Sequence, residues 1–457
     1  MAGSYTAGLA EFACSIDPAS VPSDILHETR RVLLDSVGCG LAGTTTAAGR
    51  IVAELMAGEH GPLEATIFGH RAASVAAAAF ANTVLINALD HDAYGPEGHV
   101  APVAIAAALA LAEATDAGWD DLIGGLIAGL EVGGRIGSAL RRFGLGATRA
   151  VGAVRGHGHC VFAAAAAAGR VLHLSPQQMA HAFGIAGYSA HVPTLRKFFA
   201  SASPAMTKYD HLAGMSQAGV QAVLLAARGF TGDTEVLESD IGFWRFSGSD
   251  GCDWQVLADQ LGTRWSLREM HYKPFPALLT LIPAIQVIRT IFAEHALQIE
   301  DVEAIEIRVD RQIGFTVPEV PETSLQAALN EPYTVAAGVF DVRPYRAWYE
   351  PRFYRDQALL DLARKISLVA FSPGEVPAQA NYWEGWSPVK VTVRTAAGSF
   401  QGAQQFLSQM TDAQIATKFH ENVGGLLDNA VADRLVHALL SDAGGVTARG
   451  LARCVQA

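Results

Sequence analysis

The sequence predicts a mainly α protein in two parts: a large all-helical domain over residues 1–265, completed by 405–457, and a smaller α+β domain over 266–404. Three observations carry this. Up to about residue 265 the chain is a series of Ala-rich segments with apolar residues at three- and four-residue spacing, separated by Gly, Pro and Asp. Beyond that point the period changes to two, as in "VEAIEIRVD". After residue 405, "MTDAQIATKFHENVGGLL" returns to the helical period, so the tail is expected to pack back on the first domain. The length of 457 residues, half of them hydrophobic by type, suits two domains with sizeable cores.

Taken in order, the N-terminal "MAGSYTAGLAEFACSID" lacks the basic start and compact apolar core of a secretory signal, and its acidic residues disfavour an organellar transit reading. A cytoplasmic protein is expected. Apolar stretches such as "CVFAAAAAAG" fall short of the roughly 20 residues needed to span a bilayer, so no membrane segment is expected. "GLEVGGRIG" has the glycines of a nucleotide loop but lies inside an apparent helix. "LSPQQMAHAFGIAG" carries helix-start signals: Ser175 to cap, Pro176 at the first helical position, Gln178 to complete a capping box. The alanines and glycines let helices approach closely.

In the second part, Ile305, Ile307 and Val309 face one way and Glu306, Arg308 and Asp310 the other, a half-buried strand. "PFPALLTLIPAIQVIRTIFAEH" reads as a helix entered through prolines, and "VKVTVRTAAGSFQGAQ" as two strands joined around Ala397 and Gly398. Thr411 and Gln414 are spaced as a second capping box. Cys14, Cys39, Cys160, Cys252 and Cys454 are odd in number and lack any CxxC spacing, as expected for reduced, buried thiols. A net charge of −12 and the lack of a basic run argue against nucleic acid. An anionic substrate must therefore meet locally placed cations.

Such cations are found in "TKYDHLAG". If a helix opens here and runs on through "MSQAGVQAVLLAARGF", Lys208 and His211 lie on one face one turn apart. The spacing alone leaves a solvated face as the alternative. The wider context decides. "LLDSVGCGLAG", "NALDHDAYGPEGHVAP", "MTKYDHLAGMSQAG", "AARGFTGDTEVLESDIGF" and "MTDAQIATKF" follow one another in an order that resembles the MmgE/PrpD family, whose members include 2-methylcitrate dehydratase, cis-aconitate decarboxylase and iminodisuccinate epimerase.

The resemblance implies an active site between the helical domain and an α+β lid, no metal or organic cofactor, a homodimer, and proton movement next to carboxylates of a small-molecule substrate. Such chemistry piles negative charge beside a carboxylate, so a metal-free site needs fixed cations, a base and an acid. By alignment with the family's motifs, Lys208 holds a substrate carboxylate, with His211 either orienting it or packed structurally. Asp90 and His99 are the acid/base candidates, Lys273 in "YKPFP" matches the lid lysine, and Tyr333 in "NEPYTVAAG" a tyrosine facing the site.

The departures matter as much. Leu278 stands where many relatives carry a polar residue, often histidine. It is expected to lower the local dielectric and to raise the pKa of a carboxylic acid such as Asp90. The family's "LDFDD" followed by threonine has become "LDHDAY", so Ala93 and Tyr94 replace an acid and a hydroxyl and His91 is new. The histidine expected before the Ala-rich helix aligns with Val154, and His157 or His159 is its candidate substitute. A metal site from His91, Asp92, His99, His157, His159 and Cys160 is the rival, but their spacing matches no closed zinc pattern. The leading expectation is a cofactor-independent lyase dehydrating a hydroxy-polycarboxylate resembling 2-methylcitrate. An isomerase, epimerase or decarboxylase of a related acid, or a non-catalytic carboxylate-binding protein, are the alternatives.

Overall fold

A computed structural model describes residues 4–58, 62–95, 98–141, 157–190, 198, 204–249, 251–309, 315–372, 375, 386–441 and 447–456. The helical part opens with α1 (Tyr5–Ser15), α2 (Ser23–Gly43) and α3 (Ala47–Gly58), then a short antiparallel ribbon, β1 (Ala65–Thr66) and β2 (Ala72–Ala73). It continues through α4 (Val75–Asn87), α5 (Val100–Thr115), α6 (Trp119–Arg141), α7 (Cys160–Val171), α8 (Pro176–Tyr188) and α9 (Thr207–Ala226).

The centre of this part is α7, whose residues Cys160 to Gly169 are all buried, with α5, α6 and α9 packed around it. "GLEVGG" is the reason α6 can come so close. Gly125, Gly129 and Gly133 recur every four residues along the face toward α7, and a Cβ added at Gly129 would meet the Ala163 carbonyl and the Ala167 methyl at 2.7 Å. Both expected capping boxes form, at Ser175 and Gln178 and at Thr411 and Gln414.

In the second part, α10 (Ile282–His295) follows a single 3-10 turn at Leu279–Leu281, so the leading prolines lie in an irregular approach and only Pro283 sits in the first helical turn. A four-stranded sheet has the order β4 (Ile366–Ala370), β3 (Val302–Val309), β5 (Trp386–Thr395), β6 (Gly398–Phe406). Strands β3 and β4 are parallel and the other neighbours antiparallel. Ile305, Ile307 and Val309 are buried, and Glu306 and Arg308 are half-buried, as the alternation requires; Asp310 lies outside the described residues. Helices α11 (Ser324–Leu329), α12 (Glu331–Val339) and α13 (Gln357–Arg364) complete this part.

The chain then returns. Helices α14 (Asp412–Val423) and α15 (Asn429–Leu440) pack on α2, and α16 (Ala448–Val455) packs on α5. Ile415, Phe419, Leu435 and Leu451 thereby join the hydrophobic core of the N-terminal helices, while the sheet and α10 have a core of their own. Among the described residues, no helix is long and apolar enough to cross a membrane.

Candidate active site

A single stretch, Asn87 to His99, builds the chemical centre. Helix α4 ends at Asn87, and Asp90 turns the chain with φ +53°, a left-handed conformation that non-glycine residues adopt rarely and chiefly where the surroundings enforce it. Tyr94 then forms a two-way backbone bridge with His271, N to O at 2.8 Å in both directions. Gly95 follows with φ +119°, where a Cβ would strike the Glu269 carbonyl at 2.6 Å, so glycine is required for this docking. His99 occupies the position just before α5, with its side chain making no capping hydrogen bond.

Inside this stretch, His99 Nδ1 lies 2.7 Å from Asp92 Oδ2, and Asn87 Nδ2 donates to Asp92 Oδ1 at 2.9 Å. Asn87 Nδ2 also stands 3.1 Å from His99 Nδ1. The shorter carboxylate contact assigns the ring proton: Nδ1–H donates to Asp92 and Nε2 is the nitrogen left for chemistry. Burial pushes the Asp92 carboxyl up, but His99 outweighs it and holds Asp92 below the ordinary range. Asp92 is thus an ionised anchor that fixes the orientation and tautomer of His99.

Two lysines arrive from elsewhere. Lys208 projects from the first turn of α9, and Lys273 from the segment pinned by the His271 bridge. Lys273 Nζ donates to Asp90 Oδ1 at 3.0 Å and to the Asp90 carbonyl at 2.8 Å. Lys208 Nζ is 3.4 Å and His99 Nε2 3.5 Å from the same Oδ1. Burial is the largest influence on Asp90 and pushes its pKa up, but Lys208, Lys273 and His99 together reverse it and hold the carboxyl well below the usual range. The expectation of a raised Asp90 is therefore corrected: two ammonium groups outweigh the apolar surroundings. Asp90 is a fixed negative charge at neutral pH, not a proton donor. Lys208 Nζ is buried and makes no hydrogen bond among the described residues, so its donors remain for a ligand.

The structure thus brings Asp90, His99, Lys208 and Lys273 together, with the Tyr94 ring edge-on to His99 at 5.0 Å and 5.6 Å from Lys273 Nζ. His157 stands at the border, its ring 5.7 Å from that of His99 and its Nδ1 3.2 Å from His211 Nε2. His159 lies behind it with Nε2 3.7 Å from Cys160 Sγ. Val154 lies outside the described residues. Leu278 is half-buried between the sheet-domain core and a small apolar cluster containing Tyr209, Leu325 and Leu329. Tyr333 is not brought to the cluster: it is fully buried and donates its hydroxyl to the Trp348 carbonyl. Tyr209 and Tyr349, both buried, lie within electrostatic reach of Asp90.

Asn87 and the anchoring role of Asp92 were missed by sequence reasoning, although both sit in the "NALDHD" run. Their signal is a polar residue closing an apolar helix, with an acid five residues on. His91 is fully buried and neutral, its pKa depressed by burial and then by Lys418 and Lys273, so it is no acid. Asp90, Asp92 and His99 offer ligand atoms within 4.8 Å of one another. A cation there would have to displace two ammonium groups from Asp90 and the imidazole from Asp92, so the donor set fits a metal poorly.

Comparison with known proteins gives the same frame. Residues 7–255 match the MmgE/PrpD N-terminal domain and residues 275–442 the MmgE/PrpD C-terminal domain. The cis-aconitate decarboxylase-like protein oryM of Aspergillus oryzae is 24% identical, covering 96% of this chain and 94% of its own length. Human cis-aconitate decarboxylase is 26% identical over 90% of this chain and 86% of its own. The cis-aconitate decarboxylase of Aspergillus terreus is 30% identical over a shorter stretch, 40% of this chain and 38% of its own.

Proposed function

The chain belongs to the MmgE/PrpD family, and on that premise we propose that it is a lyase that moves a proton at a carbon next to a carboxylate of a small polycarboxylic acid. One observation carries this reading. Lys208, Lys273 and His99 converge on a single carboxylate oxygen at 3.4, 3.0 and 3.5 Å, and the buried Lys208 ammonium still has donors to give. That is the environment a substrate gaining negative charge beside a carboxylate needs. Lys208 binds the substrate carboxylate, and Asp90 Oδ1 is the shared anchor on which the two lysines converge.

The reaction favoured is decarboxylation of an unsaturated acid resembling cis-aconitate, since the relatives above carry that activity in their names. The bond to one carboxylate breaks, carbon dioxide leaves, and the electron pair spreads into a remaining carboxylate held by the lysines. His99 Nε2–H then delivers one proton to carbon while Asp92 holds Nδ1–H. A single oriented imidazole suffices, which suits the apolar Leu278. Dehydration of an acid resembling 2-methylcitrate is the second reading, favoured by the His157 ring 5.7 Å from His99 as a second proton-transfer group. A homodimer and a cytoplasmic setting go with either reading.

The test is to incubate the protein with cis-aconitate, 2-methylcitrate and citrate in deuterated water and follow each by NMR. Carbon dioxide release with one deuteron fixed in the product supports decarboxylation, and loss of hydroxyl supports dehydration. Deuterium exchange without net conversion, or tight binding without turnover, refutes the lyase.

A further inference from the structure

We propose that Asp35 and Lys418, a buried ion pair behind the site, are positioning residues that clamp the loop carrying Asp90 and Asp92. Lys418 Nζ lies 2.5 Å from Asp35 Oδ1 and donates to the His91 carbonyl at 2.6 Å. The other oxygen, Asp35 Oδ2, accepts the Ala93 N–H at 2.9 Å. One ion pair thus grips a carbonyl and an amide on either side of Asp92, from α14 and α2 respectively. Among the described residues neither side chain hydrogen-bonds Asp90, Asp92 or His99; the pair meets the loop through its backbone, besides the through-space field that each charge sets up at Asp92.

Two arguments favour positioning over simple cohesion. A fully buried ion pair adds little stability compared with apolar residues of the same volume, because desolvating both charges offsets their attraction. Here the pair is 3% and 0% exposed and sits among packed apolar side chains, yet its hydrogen bonds go to loop backbone. Second, the described residues of the loop between α4 and α5 form no helix or strand that would hold it. Asp90 is in a left-handed conformation, and among the described residues the loop's backbone is also tied by Asp90 N–H to the Asn87 carbonyl, Gly95 N–H to the Gly98 carbonyl, and to Lys273 and His271. Burial pulls the Lys418 pKa down, but the Asp35 carboxylate outweighs it and keeps the ammonium charged and able to donate.

The kinetic arm of the test rests on the lyase reading, so a second readout is independent of turnover. Wild type, Lys418→Met and Asp35→Asn/Lys418→Met are prepared with 15N-labelled histidine. The double variant is neutral at both positions and leaves no lone buried charge. The His99 Nδ1–H resonance, identified by its loss in His99→Gln, is recorded together with melting curves, kcat and KM. We expect cooperative melting of the double variant, a broadened or displaced His99 resonance, and kcat lower by roughly a hundredfold with little change in KM, the cost of about 1 Å of misplacement. A folded double variant with the wild-type resonance and kcat overturns the proposal. Failure of the double variant to fold assigns the pair to stability alone and overturns it too. If the wild type turns over none of the acids, the lyase reading fails, and the resonance by itself decides the clamp.

Discussion

Replacing Lys273 by methionine removes the ammonium 3.0 Å from Asp90 Oδ1 while leaving a side chain of similar length. At that distance, with an effective dielectric near 20, the attraction is about 5 to 6 kcal/mol before desolvation is counted. Breaking one side of a buried pair costs about 3 to 5 kcal/mol, and Lys208 at 3.4 Å still offsets part of it, so we expect a loss near 3 kcal/mol. That corresponds to a melting temperature lower on the order of 5 °C. In the wild type, the folded Asp90 pKa lies below its unfolded value, so its contribution is present above the unfolded pKa and lost as pH falls toward the folded one. In Lys273→Met, burial loses one of the charges that oppose it, Lys208 and His99 remaining, and the folded pKa moves up. The stability gap between the two proteins should therefore be widest near neutral pH and narrow as pH falls through the variant's raised value. Adding Asp90→Asn to Lys273→Met should recover stability at neutral pH. Chemical denaturation of the three proteins across that range is the assay. A gap independent of pH, or a double variant no more stable than Lys273→Met, would refute the electrostatic account of this cluster.

Three further outcomes are expected. Asp92→Asn should lower kcat by roughly a hundredfold or more with little change in KM, because the amide no longer fixes the His99 tautomer; steady-state kinetics with an unaltered kcat would remove His99–Asp92 as the proton-transfer pair. Leu278→His should raise dehydration of 2-methylcitrate, and a wild type that already dehydrates it with kcat/KM on the order of 10⁴ M⁻¹s⁻¹ would show that position 278 does not control the reaction. Turnover should survive exhaustive chelation, since Asp90 Oδ1 faces two ammonium groups and Asp92 Oδ2 an imidazole, neighbours that a cation would have to displace; activity lost on chelation and restored by zinc or iron would return His157 and His159 to consideration as ligands.

Periodicity made the elements legible. The alternation at Ile305, Ile307 and Val309 and the capping pairs at Ser175 and Thr411 are local, so spacing in the chain fixes them and the structure repeats them. Lys208, Lys273, Asp90 and His99 were legible only through their resemblance to known motifs, since nothing in their spacing places α9 beside the segment after residue 270. The ionisation of Asp90 was not legible, because it depends on two ammonium groups 118 and 183 residues away in sequence, by 208 − 90 and 273 − 90. Asp35 and Lys418 lay inside "LLDSVGCGLAG" and "MTDAQIATKF", yet neither segment holds anything that marks the other as its partner. Only their meeting in space gives either one a purpose. Tyr333 was named through the motif alone, and the hydrogen bond that its hydroxyl donates to the Trp348 carbonyl, deep in the core, has no signal in the spacing.

The Asp35–Lys418 contact also sets an order of events during synthesis. The two residues are separated by 418 − 35, that is 383, positions. At about 5 to 20 residues per second, a ribosome makes Asp35 roughly 20 to 75 seconds before its partner. Throughout that interval α2 carries an acid on a face meant for the interior, and the loop after α4 lacks its hold on the His91 carbonyl. The nascent helical bundle therefore waits, with its reactive loop loose, until the last helices emerge and close over it.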